Sequence, residues 1–295
     1  MQNCQPSAGS FVLWYIDFMP YGFKSGYKKF IEDFFQIIDK NQKIVDFKLN
    51  SIQDKFISVD SSTKKDVILK ARQQGFSSII LAIFTVDFLI KNNTRNIIVC
   101  DEKENAEEML EKVKFYIESY EYKMNEKLPG FKVPLKYSSK YELYNEFTKS
   151  RYTIGTALKT EFGRSKTITN LHLSEAAFYR NMEKLLAGAM QAVVPNGRTI
   201  IETTANGFNY FKNFWDRSVR GETGFNSIFY KGSEFYSKEL LEQKKKELGR
   251  QFNQEYPETA TEAFITSGEC YFDGEALEWL IKNAVTPQPF NLGIL

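Results

Sequence analysis

The chain has 295 residues, of which 39 are basic and 37 acidic, so its formal net charge is +2. This length predicts one to two domains, and a hydrophobic share of 42% with 26 Phe and 16 Tyr excludes a disordered or fibrous protein. The chain therefore lacks the overall basic excess that is typical of nucleic-acid-binding domains, but a local basic stripe is not excluded.

The first predicted regular element is an amphipathic helix over residues 27–38. It follows residues 1–26, which contain too many Pro and Gly residues for a long helix or strand. Within 27–38 the apolar residues recur at three- and four-residue spacing, and charged residues occupy the other face. We expect this helix to pack on the core.

Short apolar runs then alternate with helical segments, a pattern typical of a wound, mainly parallel sheet flanked by helices. The first half contains strands predicted at 67–69 and 96–100, a buried helix at 78–90 and a charged amphipathic helix at about 105–122. Residues 127–149 contain two prolines and a glycine and are predicted to form an insertion.

The second half continues the alternating pattern. Strands are predicted at 152–156, 168–173, 199–203 and 226–230, and a helix at 238–249. The strands at 168–173 and 199–203 are apolar enough to be buried on both faces. The lysine run at 244–246 is predicted to lie on a solvated helix face.

Several features argue against a membrane or secreted protein. The most apolar stretch, residues 76–90, is interrupted by polar residues and is shorter than the roughly 20 residues that span a membrane. The apolar run at 11–16 has no basic residue before it, unlike a secretory signal. Three scattered cysteines suggest no disulfide framework, and a single histidine, His172, excludes a multi-histidine metal site. We expect a cytoplasmic protein.

The first candidate functional segment, residues 70–78, connects the strand at 67–69 to the helix at 78–90. A loop in this position binds phosphates through backbone N–H groups, a helix N-terminus, a basic side chain and a hydroxyl that ligates Mg²⁺. The strict phosphate-loop pattern fails twice, because Lys70 and Ala71 stand near the first glycine position and Phe76 occupies the lysine position. A basic turn without a ligand is the alternative.

Two more polar motifs follow predicted strands. Glu175 comes just after the strand at 168–173, where a carboxylate points into the crevice that binds ligands in open α/β sheets. It can polarise water or support Mg²⁺ there. Thr203, Thr204 and Asn206 follow the next strand and suit either a phosphate sensor or a capped turn. The joint placement of all three motifs favours a nucleotide site. His172 is predicted to be a packed or partly exposed strand residue and not a ligand.

The motifs together resemble the large terminase subunits that package DNA in tailed bacteriophages. The resemblance covers roughly residues 27–280 and is carried by FKLNSIQ at 47–53, ILKARQQGFSS at 68–78, LHLSEAAF at 171–178, IETTANG at 201–207 and EYPETATEAFITSGECYF at 255–272. It implies an α/β P-loop NTPase of the additional-strand, catalytic-glutamate type, with a mainly parallel sheet flanked by helices and a small N-terminal helical subregion. It further implies a helical preamble at 1–45, an ATPase motor domain at 46–270 and a linker at 271–295.

The resemblance also implies the residues that bind ATP and Mg²⁺. Gln53 matches the family's adenine-recognising glutamine, whose amide can both donate and accept a hydrogen bond. Lys70 would replace the missing loop lysine, and Arg72 could act on the phosphates in cis. Gly75 permits close backbone approach, and Ser77 would ligate Mg²⁺. The remaining nucleotide-binding residues of the loop are Gln73, Gln74, Phe76 and Ser78.

The same resemblance assigns catalytic and coupling roles. Glu175 would be the base that orients the attacking water. Ser174 stands where many such ATPases have an aspartate, so it would hold Mg²⁺ only indirectly, through a water. Thr203, Thr204 and Asn206 would be coupling residues, which link the state of the bound nucleotide to motion of the domain. For the arginine supplied to a neighbouring subunit, Arg164 is the first choice and Arg151 the second, and a surface arginine without this role is the alternative.

The implied activity is ATP hydrolysis that drives double-stranded DNA into a procapsid in the host cell cytoplasm. The implied partners are DNA, the portal protein, the small terminase subunit and further copies of the chain in a ring, with no membrane. Nuclease activity is not expected, because no strand-borne acidic cluster follows residue 275. The alternatives are another nucleic-acid helicase or translocase ATPase and a non-hydrolysing nucleotide-binding assembly module.

Overall fold

The computed structural model describes residues 23–60, 64–158 and 167–266, and residues 279, 280 and 283. Its strands are Gln36–Ile38 (β1), Ile44–Asp46 (β2), Lys65–Lys70 (β3), Arg95–Cys100 (β4), Leu135–Ser138 (β5), Glu142–Asn145 (β6), Arg151–Thr156 (β7), Ile168–Ser174 (β8), Val193–Thr203 (β9) and Asn226–Tyr230 (β10). Its α-helices are Phe23–Phe34 (α1), Ser51–Lys55 (α2), Phe76–Ile90 (α3), Lys103–Asn125 (α4), Met182–Ala192 (α5), Tyr210–Val219 (α6), Lys238–Leu248 (α7), Phe252–Glu255 (α8) and Ala260–Thr266 (α9).

An eight-stranded sheet in the order β10-β3-β9-β8-β4-β7-β6-β5 forms the centre of the fold. The strands from β10 to β7 pair in parallel, and β6 and β5 add antiparallel strands at one side. Strand β9 is inserted between β3 and β8, which is the additional-strand arrangement that the sequence implied. Because these three strands are parallel, their carboxyl ends meet at one edge of the sheet.

Helices cover both faces of the sheet because successive strand residues point to opposite sides. Ile68 faces a core built with α1, α3 and α4, whereas Val67 and Leu69 face a second core built with α5, α6 and α9. Helix α3 is buried along nearly its whole length, as its apolar composition predicts. Within the described residues, no helix is both long and apolar enough to cross a membrane.

The first predicted helix ends earlier than expected. Helix α1 ends at Phe34, and β1 then pairs antiparallel with β2. The turn between them is held by the Asp39 carboxylate, which accepts hydrogen bonds from the amides of Asn41 and Lys43 at 2.8 and 2.9 Å. Hydrogen bonds between a side chain and nearby backbone groups favour a turn in place of a helix. The apolar spacing through residue 38 suits both structures, and only the turn chemistry marks the hairpin.

The predicted insertion at 127–149 is also corrected, because part of it belongs to the sheet. Strands β5 and β6 form a hairpin, and β6 pairs with β7, so Leu143 is fully buried. Residues 267–272 of the motif at 255–272 and most of the predicted linker at 271–295 lie outside the described residues, as do residues 1–22.

Truncation of Phe30 tests whether α1 is part of the core. Phe30 is 1% exposed and contacts the rings of Phe34, Phe35 and Tyr120. We expect Phe30→Ala to lower the free energy of unfolding by about 3–5 kcal/mol, because it leaves a cavity. Urea denaturation measures the change. Phe147→Ala, at a position that is 44% exposed, is the control, and equal losses from the two variants would contradict the packing.

Candidate nucleotide site

The loop between β3 and α3 has the backbone of an anion-binding turn. Gln73 and Gly75 both adopt left-handed conformations, with φ of 57° and 81°, and Gly75 is the N-cap of α3. Turns that contain left-handed residues can form concave sites lined by backbone N–H groups. The first turn of a helix also leaves N–H groups without intrahelical partners, and these attract phosphate.

Lys70 is the loop cation that faces the acidic residues. Its side chain is buried, and its Nζ lies 3.1 Å from Glu175 Oε1 and 3.1 Å from Glu202 Oε2. Burial lowers the pKa of Lys70, but the charges of Glu202 and Glu175 outweigh burial and raise that pKa above its ordinary value. Lys70 is therefore a fixed positive charge at the end of β3.

Arg72, the other basic residue of the loop, points elsewhere. Its Nη1 donates to Glu255 Oε2 at 3.1 Å, and its side chain is 59% exposed. Its backbone N–H donates to the Glu255 carbonyl at 2.8 Å, and its carbonyl accepts from the Tyr236 hydroxyl at 2.7 Å. Arg72 thus connects the loop to Tyr236 and Glu255, in the C-terminal segment formed by residues 236–255. Unlike Lys70, it does not point towards Glu175 and Glu202.

Glu175 is held at the end of β8 by groups from two neighbouring strands. Besides the Lys70 contact, its Oε2 accepts from the Thr204 amide at 3.2 Å. The same oxygen lies 3.3 Å from the Thr203 hydroxyl, whose shorter bond, at 2.7 Å, is to the Thr204 carbonyl. Glu175 has a φ of 53°, and a non-glycine residue in this region costs about 1–3 kcal/mol. The structure therefore brings the predicted base and two predicted coupling residues into contact.

A third coupling residue lies just behind this contact. The Asn206 amide donates to the carbonyl of Ala177, in the short turn after Glu175, at 3.3 Å. The carbonyl of the preceding Ala205 accepts from the Gln254 amide at 3.0 Å. Residues 203–206 therefore connect Glu175 to the same C-terminal segment that holds the Arg72 backbone.

Glu202 is a central residue that the sequence analysis missed. It is fully buried in β9, and its Oε1 accepts from the Ser77 hydroxyl at 2.8 Å and from the Ser174 hydroxyl at 2.7 Å. Its Oε1 also lies 3.3 Å from Nε2 of His172, which is fully buried in β8. Burial raises the pKa of Glu202, but Lys70, His172 and Ser174 outweigh burial and hold that pKa well below its ordinary value. A lone acid in a strand predicted to be buried on both faces is the signal that identifies it.

Gln53 lies beside the loop, but its amide is already engaged. Its Oε1 accepts from the Asn50 amide at 3.1 Å, which completes a capping box at the start of α2, and its Nε2 donates to the Gly75 carbonyl at 2.8 Å. Asn50 Nδ2 donates to the Gln74 carbonyl at 3.2 Å. Recognition of adenine by Gln53 would require both of its own bonds to be exchanged.

The other predicted site residues divide between loop and core. Phe76 is buried against Tyr230, with ring centroids 4.6 Å apart, so its side chain belongs to the core and not to a ligand site. The Gln74 side-chain amide donates to the Lys231 carbonyl at 3.0 Å. The Ser78 carbonyl accepts from the Tyr116 hydroxyl at 3.3 Å.

Of the two arginines considered for a neighbouring subunit, the structure describes only Arg151. Arg164 lies outside the described residues. Arg151 begins β7 and pairs with Glu142 of β6. Because β7 and β8 run parallel to their common neighbour β4, Arg151 lies at the opposite edge of the sheet from Glu175.

The donor atoms around Glu202 fit a nucleotide-bound Mg²⁺. A cavity of about 220 Å³ is lined by Ser77, Ser174 and Glu175, together with Cys100 and Asp101. Hydroxyl and carboxylate oxygens suit Mg²⁺, which usually takes one or two carboxylates and completes its shell with phosphates and water. The described part of the chain holds no group of three or more His, Cys, Asp or Glu residues arranged to bind a metal ion by themselves.

Gly75→Ala tests the close approach of the loop to Gln53. A Cβ at Gly75 would lie 2.6 Å from Gln53 Nε2, whereas Gly130, with a similar φ of 83°, has nothing within 4 Å of an added Cβ. Both alanine variants incur the left-handed strain of about 1–2 kcal/mol. We expect Gly75→Ala to lose about 1 kcal/mol more in urea denaturation, because the Gln53 bond to the Gly75 carbonyl is also broken. Equal losses would contradict this contact.

Comparison with known proteins identifies the fold. No protein-family model matches the chain. The large terminase ATPase domain of Thermus phage P74-26 matches with a TM-score of 0.56 and 18% identity, over 71% of this chain and 93% of that one. The HK97 bacteriophage large terminase matches with a TM-score of 0.61 and 16% identity, over 81% of this chain and 55% of that one. The large terminase of a thermophilic bacteriophage, in complex with ATP-gamma-S, has a TM-score of 0.51 and 10% identity, over 69% of this chain and 49% of that one.

The chain thus covers nearly all of an isolated terminase ATPase domain and about half of the longer terminase chains. The matching structures belong to the family that the sequence motifs resemble, and the predicted P-loop NTPase fold is confirmed. This chain has the fold of the ATPase domains of phage large terminases.

Proposed function

We propose that this chain is the ATPase motor domain of a DNA-packaging terminase, with the motor in residues 46–270. The observation that carries the proposal is the meeting of Lys70, Glu175 and Thr203 at the carboxyl edge of three parallel strands. A phosphate-neutralising cation, a carboxylate base and a polar sensor are the parts that ATP hydrolysis needs. The fold match to a terminase ATPase domain, and to a large terminase that was solved both with ATP-gamma-S and with ADP, supports the same assignment.

In the proposed reaction, the phosphates bind at the N-terminus of α3 and compete for Lys70. Lys70 is paired with two carboxylates, and Glu175 is the more exposed of the two, with 36% of its side chain accessible. When Lys70 turns towards phosphate, Glu175 Oε1 loses its ion-pair partner and becomes available to accept a proton from water. The Thr204 amide continues to hold Oε2 and so orients the base.

Mg²⁺, when bound with ATP, would neutralise charge on the phosphates as the transferred group develops negative charge. Ser77 is the hydroxyl placed to ligate it, and Ser174 and Glu202 lie directly behind Ser77. The binding of ATP itself relies on the loop amides, on Lys70 and on the N-terminus of α3.

Hydrogen bonds connect Glu175 and the turn that follows it to other parts of the domain. Thr203, Thr204 and Asn206 contact either Glu175 or the turn that follows it, and Gln254 bonds the carbonyl of Ala205. We propose that loss and recovery of the Lys70 contact shift this segment, which then moves a DNA-gripping surface. We propose that the domain translocates double-stranded DNA and that it does so in the host cytoplasm.

The net charge of +2 suggests that the DNA grip is local and shared among copies of the chain in a ring. The portal protein and small terminase subunit are the further proposed partners. The competing function is a non-hydrolysing nucleotide-binding module, which is favoured by the Phe76 side chain in the core, where the usual loop has lysine.

Glu175→Gln tests the catalytic base. We expect phosphate release to fall by about 10²–10⁴-fold, because the amide cannot accept the proton, while ATP affinity stays within a few fold of wild type. A phosphate-release assay and equilibrium binding of a fluorescent ATP analogue measure the two quantities. Glu118→Gln, at an exposed position on α4, is the control. Undiminished turnover in Glu175→Gln would refute the assignment, and absence of turnover in the wild type would favour the non-hydrolysing module.

Lys70→Ala separates the roles of the two basic loop residues. We expect this variant to bind nucleotide about 10–100-fold more weakly and to lose turnover, because a charged contact to phosphate is worth about 1.5–3 kcal/mol. Arg72→Ala should weaken nucleotide binding far less, since Arg72 pairs with Glu255. Circular dichroism and thermal melting show whether each variant is folded. A larger loss of affinity in Arg72→Ala than in Lys70→Ala would reverse the assignment.

A further inference from the structure

Ser174 and Glu202 occupy paired positions on neighbouring strands. Ser174 ends β8, and the parallel register of β8 and β9 places Glu202 directly beside it. Both side chains are buried, and the Ser174 hydroxyl donates to Glu202 Oε1 at 2.7 Å. A carboxylate therefore stands next to Ser174, although it comes from the adjacent strand.

The same oxygen of Glu202 also contacts the first turn of α3. The Ser77 hydroxyl donates to Glu202 Oε1 at 2.8 Å, across a separation of 125 residues in the chain. A hydroxyl that donates its proton to a buried carboxylate has its lone pairs free for a cation. Carboxylates that hold a metal-ligating group in this way fix its orientation and raise its affinity for the metal.

The two oxygens of Glu202 have different neighbours. Oε2 lies 3.1 Å from Lys70 Nζ, whereas Oε1 receives both serine hydroxyls. Neutralisation of Lys70 accounts for the first contact only. Pairing with Lys70 does not account for the bond from the Ser77 hydroxyl, which comes from the first turn of α3 and lines the neighbouring cavity.

We propose that Glu202 supplies, from β9, the carboxylate that position 174 lacks. It acts as a positioning residue that orients the Ser77 hydroxyl and places negative charge behind the Mg²⁺ of the bound nucleotide, and Ser174 bridges the two strands. This inference rests on the proposed nucleotide-binding function. With this assignment the serine at the end of β8 needs no charge of its own, since the negative charge stands at the paired position on β9.

The test relocates the carboxylate. Affinity for a fluorescent ADP analogue is measured with Mg²⁺ and with EDTA, and the ratio of the two affinities reports the contribution of the metal. We expect Glu202→Gln to reduce this ratio by about 10-fold or more, as loss of a group that supports a metal ligand commonly does. The double variant Ser174→Asp with Glu202→Gln should recover most of it. Glu118→Gln, at the exposed position on α4, is the control and should retain a ratio within about threefold of wild type.

Three outcomes would overturn the inference. A wild-type ratio in folded Glu202→Gln would mean that Glu202 only balances Lys70. Failure of the folded double variant to regain the ratio would mean that a carboxylate at this place is not what matters, and this variant decides the question if Glu202→Gln does not fold. If wild-type protein binds no ADP analogue with or without Mg²⁺, the proposed function fails as well, which distinguishes that failure from the first two.

Discussion

The site is organised around a buried lysine between two carboxylates. Lys70 contacts Glu175 and Glu202 at equal distances of 3.1 Å. Burial of an unpaired charge is so costly that neither Lys70 nor Glu202 could remain ionised alone in this interior. The pairing requires β9 to lie between β3 and β8, because Glu202 must reach Lys70 on one side and Ser174 on the other. The balance of charges at the site therefore depends on the order of the strands.

In the proposed function, this arrangement takes the place of the usual loop lysine. The charge comes from the last residue of β3, within ion-pair distance of both acids, and the space of the missing lysine is filled by Phe76 in the core. The loop is supported from outside by contacts of Arg72 with Glu255 and Tyr236. In the proposed reaction, Lys70 exchanges one partner, Glu175, for a ligand, while Glu202 retains it at the end of the strand.

Much of the fold follows from local sequence patterns, because each buried strand and the buried helix α3 carry their own apolar signal. Lys70, Glu175 and Thr203 were also recognisable, since parallel strands bring their carboxyl ends to one edge. The β1–β2 hairpin was missed because residues 36–38 continue the apolar spacing of α1. Glu202 was missed because its role depends on which strand lies beside β8, and the outward direction of Arg72 depends on Glu255, which is 183 residues away along the chain. Such contacts between distant segments leave little trace in local patterns.

The most direct test of the account is a crystal structure of the protein with Mg²⁺ and a non-hydrolysable ATP analogue. The account predicts that Lys70 Nζ contacts a phosphate oxygen and lies beyond the roughly 4 Å limit of an ion pair from Glu175. It also predicts that Glu202 still accepts the Ser77 hydroxyl. An analogue bound with the Lys70–Glu175 pair intact, or with Arg72 on the phosphates in place of Lys70, would contradict it.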